Sequence, residues 1–213
     1  MPTDARKFEG LLRNDFRAFI HKVFTTLCPG QDYERSWHIE AIAYQLERVR
    51  RGEITRLIIN MPPRSLKSIS ASVAFPAFLL GRDPSRRIIC VSYSAELAKK
   101  HSNDFRAVLE APWYRSVFPS AQIGPYKNSE TEIELTKRGF RLATSVGGTL
   151  TGRGGDLIII DDPLSPTTPI PRPNAIPATN GTRTPCCPAS TTNAPSRSSS
   201  SCSASTWTIS PAS

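Results

Sequence analysis

Two short apolar runs, each ending in charge, constrain this chain more than any other feature. Leu57-Ile58-Ile59 leads through residues 60–66 into Lys67-Ser68, and a helix-like run over 69–80 follows. Far downstream, Leu157-Ile158-Ile159-Ile160 ends in Asp161-Asp162. Apolar runs this short, bounded by polar turns, read as buried strands. Strand, loop, Lys-Ser and helix in succession form the layout of a phosphate-binding loop. Pro63, Arg64, Ser65, Leu66, Lys67 and Ser68 are then the candidate cradle for the phosphates of a nucleotide, ATP in the simplest case. Backbone N–H groups and the helix N-terminus would face the phosphates. Lys67 would reach the outer ones, and the Ser68 hydroxyl would ligate Mg2+.

The loop departs from the pattern G-x-x-x-x-G-K-[ST], because Met61 and Leu66 stand where the two glycines belong. A left-handed Leu66 would carry roughly 1–2 kcal/mol of strain. Pro62 and Pro63 stiffen the loop and remove two N–H donors. The competing reading is a proline-marked turn before a buried helix, with Lys67 merely solvated. The second run adds weight to the nucleotide reading. A buried strand delivers carboxylates to the C-terminal edge of an α/β sheet, where ligands bind. Asp161 would hold Mg2+, directly or through water. Asp162 would orient and deprotonate an attacking water. On its own this run is equally a core strand ending in a polar turn.

Composition excludes several alternatives. Five cysteines among 213 residues form no C-x-x-C pair, so neither a zinc site nor a disulfide framework is expected. The first ten residues lack the apolar core of a signal peptide. No apolar run reaches the roughly 18–20 residues of a membrane span. A cytoplasmic, reducing setting is expected, with no membrane partner. The net charge of +9 permits a polyanionic partner without demonstrating one.

Elsewhere the chain alternates helical and extended patterns. Leu12, Phe16, Phe19, Ile20 and Phe24 repeat at helical spacing within 8–27. Residues 37–50 form a second amphipathic helix with a stripe of Ile39, Ile42, Leu46 and Val49, closed by Gly52. Trp37 and His38 at its start admit two readings, contact with a purine or a packed core pair. Residues 70–80 read as a buried helix broken late by Pro76, and 87–93 as a strand. Ser92 or Ser94 caps a helix over 95–109, which ends at Pro112-Trp113-Tyr114. Its Lys99, Lys100, His101 and Arg106 are either a solvated face or a contact for a phosphate backbone. Residues 133–135 and 139–143 suggest a hairpin. A glycine-rich connector, 145–156, leads to the acidic strand. It carries Arg153, which competes with Arg64 to neutralise charge on a transferring phosphate, from its own subunit or a neighbour. The sum is an α/β fold: a P-loop NTPase-type parallel sheet with helices over both faces, incomplete, and a disordered C-terminal tail.

PPRSLKS, SYSAELAKKHSNDFRAVLE, GFRLATSVGGTLTGRGGD and LIIIDDP together resemble the ATPase domain of the large terminase subunits of tailed phages and prophages. The resemblance covers about residues 10–164, and the combination is more specific than any one piece. Substituted glycines in the phosphate loop are familiar there. The resemblance implies an ATP-driven motor, Mg2+-dependent, that assembles as a homo-oligomeric ring at a capsid portal and pumps double-stranded DNA in a bacterial host. It implies as partners the portal protein and a small terminase subunit. It also implies a C-terminal nuclease domain, which this sequence does not show. Domain limits of 1–52 (helical lead-in), 53–164 (ATPase core) and 165–213 (tail) follow.

The composition turns abruptly after Leu164. From 163 to 213, 30 of 51 residues are Ser, Thr or Pro, with no Asp, Glu or Lys. Such a segment cannot build a packed core. A natural linker is one explanation. The other, which we favour, is a reading-frame shift near 164–165. In the shifted frame Trp207-Thr208 must read as aspartate, and the surrounding codons can spell a string that resembles the family's next ATPase motif. A chain cut this way is expected to be weakly stable, and at most to bind nucleotide with little DNA-stimulated turnover.

Overall fold

The computed structural model describes residues 2–148, 150 and 152–164 together with the backbone of 205–210. The expectations for 165–204 and 211–213 lie outside the described residues. The helical pattern over 8–27 resolves into two helices, α1 (Pro2–Asn14) and α2 (Phe16–Leu27). Asp15 divides them. Its backbone is extended, and its carboxylate accepts the Arg17 and Ala18 N–H groups as the cap of α2. Helix α3 (Trp37–Arg50) keeps the expected limits and ends before Gly52, whose φ of +77° closes the turn.

Strand β1 (Leu57–Met61) enters the Lys67 loop. The following helix begins as a π-helix, Ile69–Ala74, and continues as α4 (Phe75–Arg82) with Pro76 in its first turn. Pro76 has no N–H for the Ser72 carbonyl four residues back. The buried Arg141 guanidinium supplies the donor, Nη2 to Ser72 O at 3.1 Å. Then come β2 (Arg87–Ser92), α5 (Ala95–Glu110), capped by Ser94 Oγ, and a short α6 (Pro112–Val117). The hairpin holds as β4 (Glu132–Leu135) and β5 (Phe140–Ser145), preceded by β3 (Ile123–Asn128). Strand β6 (Leu157–Asp161) carries the acids.

The sheet is mixed, which corrects the expectation of a parallel one. In its five-stranded part, β6-β2-β5-β4-β3, the first three strands run parallel and the last two alternate. Beyond β6 the sheet continues through β7 (Ser205–Ser210) to β1. The tail therefore contributes one strand, contrary to the expectation of disorder throughout. Because β7 is antiparallel to both neighbours, β1 and β6 run parallel to each other. Their C-terminal ends consequently lie on the same edge.

The described helices share one apolar core, and it draws on one face of the sheet. Phe16, Phe19, Phe78 and Phe118 interlock within it, with contacting ring centroids 5.0–6.4 Å apart. From the sheet it takes Ile59, Ile88, Cys90, Ile133, Leu135, Leu157 and Ile159, the residues of one side of the pleat. On the other side Ile158, Ile160, Val91 and Leu142 are only half-buried, and Ile58 is 64% exposed. Among the described residues, then, the expectation of helices over both faces is not met. No described helix is long and apolar enough to cross a membrane.

Candidate functional site

The site forms where the parallel strands β1 and β6 end. Lys67, six residues beyond β1, is only 5% exposed, and its Nζ lies 2.8 Å from Asp162 Oδ1. The two residues are 95 positions apart in the chain. Three residues here hold left-handed backbones without being glycine: Arg64 (φ +63°), Leu66 (φ +57°) and Asp162 (φ +45°). Leu66 thus adopts the conformation for which the pattern reserves a glycine. Strain of this kind, roughly 1–3 kcal/mol for each residue, persists where the surrounding structure enforces it, and it clusters at functional sites.

Asp161 is 1% exposed. Its Oδ2 accepts the Ser72 hydroxyl at 3.3 Å, and its Oδ1 has no hydrogen-bond partner. Burial, reinforced by the Asp162 charge, raises its pKa to about 7, against opposing effects of Lys67 and of the Ser68 and Ser72 hydroxyls. His101 Nδ1 stands 3.3 Å from Oδ2, without the alignment of a hydrogen bond. Burial lowers the His101 pKa to about 3, with the positive charges of Arg141 and Lys100 adding to the effect. The contact is therefore not an ion pair: between about pH 3 and 7 both groups are neutral, and above that range only the acid carries charge.

Lys67, Ser68, Asp161 and Asp162 thus come together as the sequence suggested. The remaining candidates lie differently. Pro63 and Arg64 are exposed on the loop, and Ser65 is half-buried with an unpartnered hydroxyl. Arg153 Nη1 bonds Glu132 on β4 at 2.5 Å, and β2 and β5 separate that strand from β6. Among the described residues, Arg153 makes no hydrogen bond or ion pair with the Lys67–Asp162 pair. Trp37 is 79% exposed, which overturns its packed-core reading. It meets His38 edge to face at 6.2 Å, while His38 Nδ1 lies 2.5 Å from Ser36 Oγ. Among the described residues, neither ring makes a hydrogen bond or ring contact with the loop. The basic residues of α5 are occupied locally: Lys99 with Glu130, Lys100 with Asp104, and Arg106 with Asn128 and Ser129. That favours the solvated-face reading of this row.

His101 escaped the sequence reading because it sits within that basic row. A signal was present, since Ala98, His101, Ser102, Phe105, Val108 and Leu109 are the buried residues of α5 and recur at steps of three and four. A histidine in such a stripe faces inward. A cleft of about 520 Å³ lies elsewhere, between α2 and α3. Its arginines already pair with their own carboxylates, Arg17 with Asp15 and Arg51 with Glu47.

The described residues contain no group of three or more His, Cys, Asp or Glu side chains placed to hold a metal ion. What they offer instead is the Asp161 carboxyl, whose Oδ1 has no partner and whose pKa the Ser68 hydroxyl helps to lower. An all-oxygen donor set this small suits Mg2+, which keeps most of its waters and takes phosphate oxygens as further ligands. No protein-family model matches the chain, and no curated protein matches it.

Proposed function

We propose that this chain is the ATPase core of a DNA-packaging motor of the large-terminase type, binding Mg·ATP between the Lys67 loop and the Asp161–Asp162 edge. The observation that carries the reading is the 2.8 Å contact between Lys67 and Asp162, made across two parallel strands of one sheet. A buried lysine, a hydroxyl and two adjacent carboxylates at the C-terminal edge of parallel strands are the groups that phosphoryl transfer uses.

Each residue then has a task. Lys67 exchanges Asp162 for an outer phosphate oxygen and holds that phosphate in place. Asp162, released from the ammonium, orients a water and accepts its proton. Ser68 and Asp161 would hold Mg2+, which would supply charge neutralisation at the phosphates. The raised pKa of Asp161 keeps this carboxyl protonated below about pH 7, so it would have to lose that proton to serve as a ligand. Arg64 is the loop's own cation for the departing phosphate. Arg153, turned toward β4, is suited to serve the site of a neighbouring copy in a ring. Double-stranded DNA, the portal protein and a small terminase subunit are the partners this reading brings with it.

Phosphate release from ATP, measured with and without double-stranded DNA, tests the proposal. The intact chain should turn over slowly, Asp162→Asn should bind ATP without hydrolysing it, and Lys67→Ala should do neither. Hydrolysis by Lys67→Ala at the rate of the intact chain would make the loop structural and the proposal wrong.

A further inference from the structure

We infer that His101, from the middle of α5, is a positioning residue for Asp161: with Ser72 it confines the Oδ2 oxygen and leaves the other for the cation. The inference rests on the nucleotide reading above and adds to it a part that neither sequence motif contains.

The geometry is specific to single atoms. Oδ2 of Asp161 meets two groups from different elements, Ser72 Oγ from the π-helix and His101 Nδ1 from α5, each at 3.3 Å. Oδ1 meets none, although it is buried. Buried carboxylate oxygens are normally satisfied, so an orphan on a carboxyl at the end of this strand marks where a further ligand belongs. A carboxylate turns easily about its last bond. The Ser72 hydrogen bond and the imidazole packed at 3.3 Å against the same oxygen restrict that rotation and favour one direction for the other oxygen. Groups that orient metal-binding side chains in this way commonly affect metal affinity by about 10–100-fold.

The supports are themselves fixed. Ser72 lies in the π-helix that directly follows the loop, and its carbonyl is held by Arg141. Arg141 is wholly buried, with its guanidinium 5.1 Å from the Phe105 ring centroid. Phe105 is one helical turn beyond His101 on α5. The loop, the acidic strand and α5 therefore meet at this one carboxylate. Movement of α5 would be felt as a turn of Asp161.

The test uses the full chain and Mn2+ as the probe, with binding read by electron paramagnetic resonance in the presence of ATP. ATP affinity without metal is measured alongside. His101→Leu should weaken Mn2+ binding about 10-fold or more and leave metal-free ATP affinity unchanged. His101→Asn, whose amide can replace Nδ1, should restore affinity to within about 3-fold of the intact chain. His101→Gln places its amide further out and should not. Should His101→Leu fail to fold, Ser72→Ala and His101→Gln carry the same expectation, with unfolding curves as the control. Unchanged Mn2+ affinity in the folded variants would overturn the inference. So would equal losses in Asn and Gln, which would make the histidine a packing residue. Lys67→Ala separates the two layers. If it binds ATP like the intact chain, the nucleotide reading fails. If it loses ATP while His101→Leu keeps Mn2+, only the positioning role fails.

Discussion

Leu66 offers a sign reversal that ordinary substitutions do not. Its φ of +57° is left-handed, and its half-buried side chain packs against the edge of the core. Leu66→Ala and Leu66→Gly both remove that packing, a loss of about 1 kcal/mol for a half-buried leucine. They differ in what remains. Alanine keeps a Cβ and with it the left-handed cost of roughly 1–2 kcal/mol. Glycine has no such cost, but its freer unfolded chain takes back about 0.5–1 kcal/mol. Taking the middle of each range, the glycine variant should therefore be the more stable of the two by about 0.75 kcal/mol. At a position of ordinary φ the order is the opposite, with alanine ahead by about 0.4–1 kcal/mol. For a chain of this size the expected gap is about 1–4 °C in Tm. Urea midpoints of the two variants, at equal m-value, measure the same gap. An alanine variant as stable as the glycine variant, or more so, would mean that Leu66 does not adopt the left-handed conformation, and the loop geometry would have to be abandoned.

Other perturbations test the surroundings of the site. In metal-free buffer the raised pKa of Asp161 stabilises the fold below about pH 4, and this contribution is lost as pH rises through about 7. The lowered pKa of His101 acts in the opposite sense, its contribution being lost as pH falls from about 6.5 toward 3. Between pH 4 and 6.5 the two slopes cancel, so denaturant titrations of the intact chain should show little change over that range. Asp161→Asn should leave only the histidine slope, with stability rising toward pH 6.5, and His101→Leu only the acid slope, with stability falling. Arg141→Met should cost about 1–3 kcal/mol in urea unfolding, because it strips the Ser72 carbonyl of its donor. Gly139→Ala should cost about as much or more, since a Cβ there would sit 2.3 Å from the Pro84 carbonyl oxygen. An unchanged midpoint would place the β4–β5 turn away from Pro84.

Local features were legible where short-range chemistry decides them. The apolar runs of β1, β2 and β6, the Ser94 cap and the limits of α3 could all be read from residue type and spacing. So could the meeting of Lys67 with Asp162, because strand-then-polar runs deliver their ends to one edge of an α/β sheet. Long-range features were not legible. Asp15 splits a helical pattern by capping, and periodicity alone does not register it. The carbonyl freed by Pro76 is satisfied by Arg141, 69 residues away from Ser72. The direction of β3, β4 and β7 depends on pairing partners that no local pattern names. His101 was hidden by its basic neighbours, and only its place in the buried stripe of α5 gives it away. Trp37 was misjudged because an aromatic residue at a helix start carries no information about which way the ring faces.

The central claim is that Lys67 and the Asp161–Asp162 edge enclose one Mg·ATP. Titration calorimetry with ATP, in Mg2+ and then in EDTA, tests it most directly. The intact chain should bind one ATP per chain, more tightly with Mg2+, with release of about half a proton near pH 7 and close to one near pH 6. Lys67→Ala should abolish the binding, and Asp161→Asn should remove only the Mg2+-dependent part. Binding that is indifferent to Lys67, or the same with and without Mg2+ in the intact chain, would contradict the claim.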